Sequence, residues 1–129
     1  MSGELRRVML VDDDELISEF AVMILESTGL EILYCNSGRK ALDRVNEFRP
    51  QLVLLDFIMP EMNGLDTLRE LRTLPEVNST PIVFLTGKTD REGSDAAMME
   101  AGAAGIIRKP FAPDMLLSDI ETIWQQHVA

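Results

Sequence analysis

An α/β fold, with a five-stranded parallel sheet covered by helices on both faces, is predicted by three features of the sequence. Short apolar runs alternate with longer stretches of helical periodicity, and the alternation repeats five times. Several of the runs are almost wholly apolar, as suits strands buried on both sides. Strands and helices alternating at these lengths favour right-handed crossovers, which leave neighbouring strands parallel. A chain of 129 residues, 46% hydrophobic, is expected to form one domain, residues 1–129, with a real core.

The strands are predicted at Arg7 to Val11, Glu31 to Cys35, Leu52 to Leu55, Ile82 to Leu85 and Gly105 to Ile107. After the first, Ile17, Phe20, Ala21, Ile24 and Leu25 recur at helical spacing, and Gly29 supplies a stop behind Thr28. Ser37 precedes a short second helix carrying Ala41, Leu42 and Val45. It must end before Arg49-Pro50, because proline disfavours a helical residue ahead of it. Asn63-Gly64 opens the third helix, with Leu65, Leu68 and Leu71. Thr89 and Glu92 have the spacing of a capping box before the fourth, although Gly93 inside it costs helicity. Pro113 sits in the first turn of the last helix, whose apolar stripe is Leu116, Leu117, Ile120, Ile123 and Trp124.

Charge and composition narrow the functional classes. Twenty-two acidic against 12 basic residues give a formal net charge of -10, which argues against direct contact with nucleic acid or an anionic membrane, since both need clustered Lys and Arg. No apolar stretch reaches the roughly 18 residues that span a bilayer. The start Met1-Ser2-Gly3-Glu4 lacks the features of a signal peptide, so a cytoplasmic protein is expected. Cys35 is the one cysteine and is expected to be a buried, reduced thiol in a strand. His127 reads as a solvated helix residue, and Met23, Met98 and Met99 as core or face filler.

In open parallel sheets chemistry collects at the carboxyl ends of the strands. Here the first strand ends in Asp12-Asp13, the third in Asp56, the fourth in Thr86 and the fifth in Lys109, while the second ends in nothing comparable. Carboxylates gathered in one crevice disfavour their own ionisation unless a cation sits among them, which implies a hard divalent ion such as Mg2+. Magnesium commonly bridges to a phosphate oxygen. Lys109 then stabilises charge on a transferring phosphoryl group, Thr86 donates a hydrogen bond to another of its oxygens, and Asp56 is by position the carboxylate that attacks. Each cluster has a plainer reading by itself. Asp12-Asp13-Asp14-Glu15 is also an acidic helix start, with Asp14 as its cap; Asp56 a solvated strand end; Thr86-Gly87 a turn; Lys109-Pro110 a loop. Those readings leave unexplained why four of the five strands end this way.

Val11-Asp12-Asp13, Leu55-Asp56 with Met59-Pro60 and Gly64, Leu85-Thr86-Gly87, and Lys109-Pro110-Phe111 together resemble the receiver domain of two-component response regulators, over nearly the whole chain. The resemblance implies a flavodoxin-like fold with sheet order 2-1-3-4-5 and Asp56 as phosphoacceptor. It also implies Asp12 and Asp13 as the acidic pair, the Ile58 backbone carbonyl as a further metal ligand, and Thr86 and Lys109 as switch and phosphate-binding residues. The phosphoryl donor would be the phosphohistidine of a histidine kinase or phosphotransfer protein. A downstream protein partner would read the face around helix four, strand five and helix five.

Two positions depart from the family pattern. Ile106 stands three residues before Lys109, where receivers often carry an aromatic switch, so the signal is expected to travel through main-chain shifts around Thr86 to Lys88 or to be weaker. Apolar Ile58, flanking the site with Lys88, is expected to hinder the attacking water and prolong the mark. A haloacid-dehalogenase-type phosphatase shares the aspartyl phosphate and magnesium, but needs an acid/base aspartate where Ile58 stands, and a cap insertion. A phosphorylation-independent interaction module would have no use for the full set of acidic, hydroxyl and lysine residues. No output segment follows the last helix, so the expectation is either a protein that acts alone or a receiver cut from a longer one.

Overall fold

Residues 4–87 and 94–128 are described in the computed structural model of the chain. Five β-α units follow one another: β1 (Arg7–Val11), α1 (Glu15–Glu26), β2 (Glu31–Cys35), α2 (Gly38–Phe48), β3 (Leu52–Asp56), α3 (Gly64–Leu71), β4 (Ile82–Thr86), α4 (Ser94–Glu100), β5 (Gly105–Arg108) and α5 (Pro113–Val128). All pairings are parallel and the sheet order is β2-β1-β3-β4-β5, as the sequence led us to expect.

Because side chains alternate along a strand, each central strand feeds two cores. Met9, Val11, Val53, Leu55, Ile82 and Phe84 pack with Ala41 and Val45 of α2, Leu68 and Leu71 of α3 and Met98 of α4. On the opposite face Val8, Leu10, Leu52, Leu54, Val83 and Leu85 meet Ala21, Ile24 and Leu25 of α1 and Leu116, Ile120 and Trp124 of α5. Burial on both faces thus holds for β1, β3 and β4. The edge strand β2 is different, with Glu31 exposed and only Cys35 fully buried. Cys35 lies in the core as expected, and burial pushes its thiol pKa up.

The local signals work as read. Asp14 is the α1 N-cap, its side chain accepting from the Ile17 N–H, and Gly29 beyond the helix has φ 93°. Ser37 caps α2, which stops at Phe48 because Arg49, before Pro50, turns left-handed. Asn63 and Asp66 form a capping box on α3. The expected capping pair Thr89 and Glu92, with Lys88 and Gly93, lies outside the described residues.

Several expectations need correction. β3, β4 and β5 each run one residue past their apolar stretch, to Asp56, Thr86 and Arg108, because backbone pairing continues after the side chains turn polar. Of the three methionines expected as filler, Met98 is core, but Met23 and Met99 are 66% and 50% exposed. Phe20, placed on the buried face of α1, is 44% exposed. The reason is geometric: the core takes the stripe of Ser18, Ala21, Ile24 and Leu25, and Leu16, Phe20 and Met23, spaced by four and three, form a second, outward stripe. His127 is exposed and stacks on Trp124. Among the described residues no helix is long and apolar enough to cross a membrane.

Candidate functional site

At the carboxyl edge of the sheet, the backbone pairing extends just beyond the strands and fixes the rim. The Asp12 N–H donates to the Cys35 carbonyl at 3.1 Å, that of Phe57 to Leu85 at 3.1 Å and that of Lys109 to Thr86 at 2.7 Å. These bonds hold the first residue after each strand in register with its neighbour.

Asp12 is fully buried. One carboxylate oxygen accepts from the Asp14 N–H at 2.9 Å, and its backbone carbonyl accepts from the Tyr34 hydroxyl at 2.7 Å. The other oxygen faces the Lys109 ammonium, 2.8 Å from Nζ. Asp56, 7% exposed, ends β3 with its Oδ1 3.4 Å from the same Nζ. Asp13 is exposed, yet it offers a carboxylate oxygen to the same cluster: one oxygen each from Asp12, Asp13 and Asp56 lies within 4.8 Å of the others.

Burial, and then the charge of Asp12, push the Asp56 pKa up from 3.8 to about 7, against the opposing pull of Lys109. Burial works against the charge on Lys109, but Asp12 and Asp56 outweigh it and hold its pKa above the ordinary lysine value. Two buried carboxylates thus share one ammonium, and a third waits at the mouth. A hard cation, preferring carboxylate oxygens, fits that donor set and would offset the burial and the Asp12 charge that raise the Asp56 pKa.

Gly64 lets the loop after Asp56 close. Its N–H donates to the Phe57 carbonyl at 2.9 Å, and a Cβ there would stand 2.5 Å from the Asp56 carbonyl oxygen. In the same loop the Ile58 side chain is 58% exposed, whereas Met59 is buried. Beyond β5, the Lys109-Pro110 peptide bond is cis.

Of the residues expected at the site, Asp12, Asp13, Asp56 and Lys109 are brought into one cluster. Thr86 ends the neighbouring strand with its side chain buried, and its hydroxyl accepts a 2.8 Å hydrogen bond from Arg108 Nη1. Ile106 is half-buried against the core on the α2, α3 and α4 side. Sequence reasoning gave no place to Arg108, Asp95 or Tyr34. The signal for Arg108 was available, since parallel pairing of the fourth and fifth strands sets it opposite Thr86. Nothing comparable in the sequence points to Asp95.

Residues 8–121 match the family model described as the response regulator receiver domain. The DNA-binding response regulator MtrA of Mycobacterium tuberculosis (strain ATCC 25618 / H37Rv) is 40% identical over 116 residues, covering 89% of this chain and 49% of that protein. The transcriptional regulatory protein CpxR homolog of Haemophilus influenzae is 36% identical over 118 residues, covering 91% and 49%. The chain therefore spans about half the length of these relatives. Among solved structures, the Vibrio cholerae chemotaxis protein CheY4 is similar with a TM-score of 0.86 and 27% identity, over 93% of this chain and 99% of that one.

Proposed function

This chain belongs to the response regulator receiver domain family, and on that premise we propose that it is a phosphorylation-dependent switch whose phosphoacceptor is Asp56. The observation that carries the proposal is the convergence of Asp12, Asp13 and Asp56 with the Lys109 ammonium on one rim of the sheet. In this reading a histidine kinase or phosphotransfer protein presents a phosphohistidine. An Asp56 carboxylate oxygen attacks phosphorus, the new P–O bond forms as the P–N bond breaks, and the histidine leaves with its electron pair.

Lys109 moves from Asp12 toward a phosphoryl oxygen and neutralises part of its charge, while the Thr86 hydroxyl donates to a second oxygen. Asp12, Asp13, Asp56 and the Ile58 carbonyl would hold Mg2+, which when bound neutralises the carboxylates and the phosphoryl oxygens together. The exposed Ile58 side chain screens the mark from water and lengthens its life.

The chain is a switch that serves its own phosphorylation and dephosphorylation, rather than an enzyme turning over a separate substrate. We place it in the cytoplasm, where the kinase would act, with a downstream protein partner at the α4-β5-α5 face. DNA binding belongs to the names of relatives about twice as long; the net charge of -10 argues against DNA contact by this chain.

Incubation with magnesium and acetyl phosphate, followed by intact mass, tests the proposal. The wild type should gain one phosphoryl group and Asp56→Asn none. A wild type that binds magnesium yet gains no phosphate would overturn it.

A further inference from the structure

Arg108 occupies the last position of β5, beside Lys109 but turned to a different set of partners. One guanidinium nitrogen, Nη1, donates to the Thr86 hydroxyl at 2.8 Å, and the other, Nη2, is hydrogen-bonded and ion-paired to the Asp95 carboxylate in the first turn of α4. One rigid fork therefore spans a buried hydroxyl at the rim and an acidic group on a surface helix. We propose that Arg108 is a positioning residue that couples the Thr86 hydroxyl to α4, so that a mark on Asp56 is relayed through Thr86, Arg108 and Asp95. The proposal rests on Asp56 being the phosphoacceptor.

The hydrogen-bond chemistry gives the relay a direction. Toward arginine the Thr86 hydroxyl can only accept, because a guanidinium has no acceptor, so its own proton remains to be donated elsewhere. When the Thr86 side chain moves to bring that proton to a phosphoryl oxygen on Asp56, its oxygen shifts under Nη1, and the 2.8 Å bond is remade or given up. Nη1 and Nη2 belong to one planar group, so either outcome moves the partner of Asp95. The other outward-reaching possibility on this strand, Ile106, has no polar atom with which to follow a hydroxyl.

The ion pair is suited to being remade. Its side chains are 53% and 50% exposed, and water and salt weaken such pairs enough that breaking one does not threaten the fold. Arg108 reaches the site through Thr86, whose hydroxyl proton is free to be donated with or without Nη1 beside it. Taking up the mark and relaying it are therefore separable.

The test follows the amides of Ala96 to Glu100 by heteronuclear NMR on the full chain, before and after phosphorylation with magnesium and acetyl phosphate, with intact mass recording the modification. In the wild type these amides should shift when phosphate is added. Arg108→Ala should take up phosphate to the same extent, with the shifts cut at least twofold. Asp95→Ala, which removes the acceptor and cuts the link from the other end, should do the same, and the double variant should lose no more than either single one. Arg108→Lys should not rescue the response, because an ammonium lacks the fork that holds two partners at once. A merely structural Arg108 would alter the resting spectrum and leave the phosphorylation-dependent shifts whole. Fully phosphorylated Arg108→Ala with undiminished shifts in α4 overturns the relay alone, whereas a wild type that takes up no phosphate overturns the reading of Asp56, and the relay with it.

Discussion

Asp56 spends its resting state in an environment that opposes its own charge. Burial and the neighbouring Asp12 raise its pKa to about 7, so in the absence of a cation the folded chain holds a proton there that the unfolded chain has already released. The unfolded value is the ordinary 3.8, so the contribution of this group is fully present below about pH 4 and is lost as pH rises through about 7. The direction is opposite to that of a salt-bridged aspartate. Urea unfolding in a chelating buffer should therefore show the wild type losing stability relative to Asp56→Asn between pH 5 and pH 8, with a relative change on the order of 1 kcal/mol or more. A wild type and variant with parallel pH profiles would show that Asp56 is ionised throughout. The sequence announced a crowd of carboxylates, but not which would be strained. Asp12 is the more deeply buried, yet it accepts the Asp14 N–H and faces Lys109 at 2.8 Å, whereas Asp56 stands at 3.4 Å from the same ammonium.

Elements deliver these residues to the rim, and their ends matter more than their middles. Helix caps were legible because each is a local bargain between one side chain and the amides two or three residues on, as at Asp14, Ser37 and Asn63. The ends of β3, β4 and β5 were read one residue short, because apolar sequence stops before the backbone ladder does. That extra paired residue is what anchors Asp56 and Thr86 and sets Arg108 against Thr86. The turn from β3 into α3 depends on Gly64 lying against the Asp56 carbonyl, with room for no Cβ. Gly64→Ala should destabilise the fold by about 1–3 kcal/mol, the usual cost of forcing an extra carbon into a packed site. Because the atom displaced belongs to Asp56, phosphate uptake from acetyl phosphate should slow as well, at temperatures where the variant remains folded. Urea midpoints and time-resolved intact mass measure the two effects separately.

At the scale of the whole molecule, the cluster exists only because β1 and β3 are neighbours in the sheet and Lys109 closes over them from the end of β5. An unfolded chain scatters these groups, so a cation that needs all of them binds the folded state alone. Magnesium at about 100 times its dissociation constant should then stabilise the protein by about 2.7 kcal/mol, read as a rise in the urea midpoint. Asp13→Asn, which removes the exposed carboxylate of the cluster without disturbing the core, should reduce that rise. Sequence by itself determined the order of strands and helices, the parallel sheet, the caps and the rim positions of Asp12, Asp13, Asp56, Thr86 and Lys109, because apolar periodicity and capping chemistry are properties of neighbouring residues. Tertiary structure alone decided the outward stripe of Leu16, Phe20 and Met23, the sharing of one ammonium between Asp12 and Asp56, and the fork of Arg108 between Thr86 and Asp95. Those depend on the packing of helices on the sheet and on distances between side chains far apart in the chain, which no local pattern encodes.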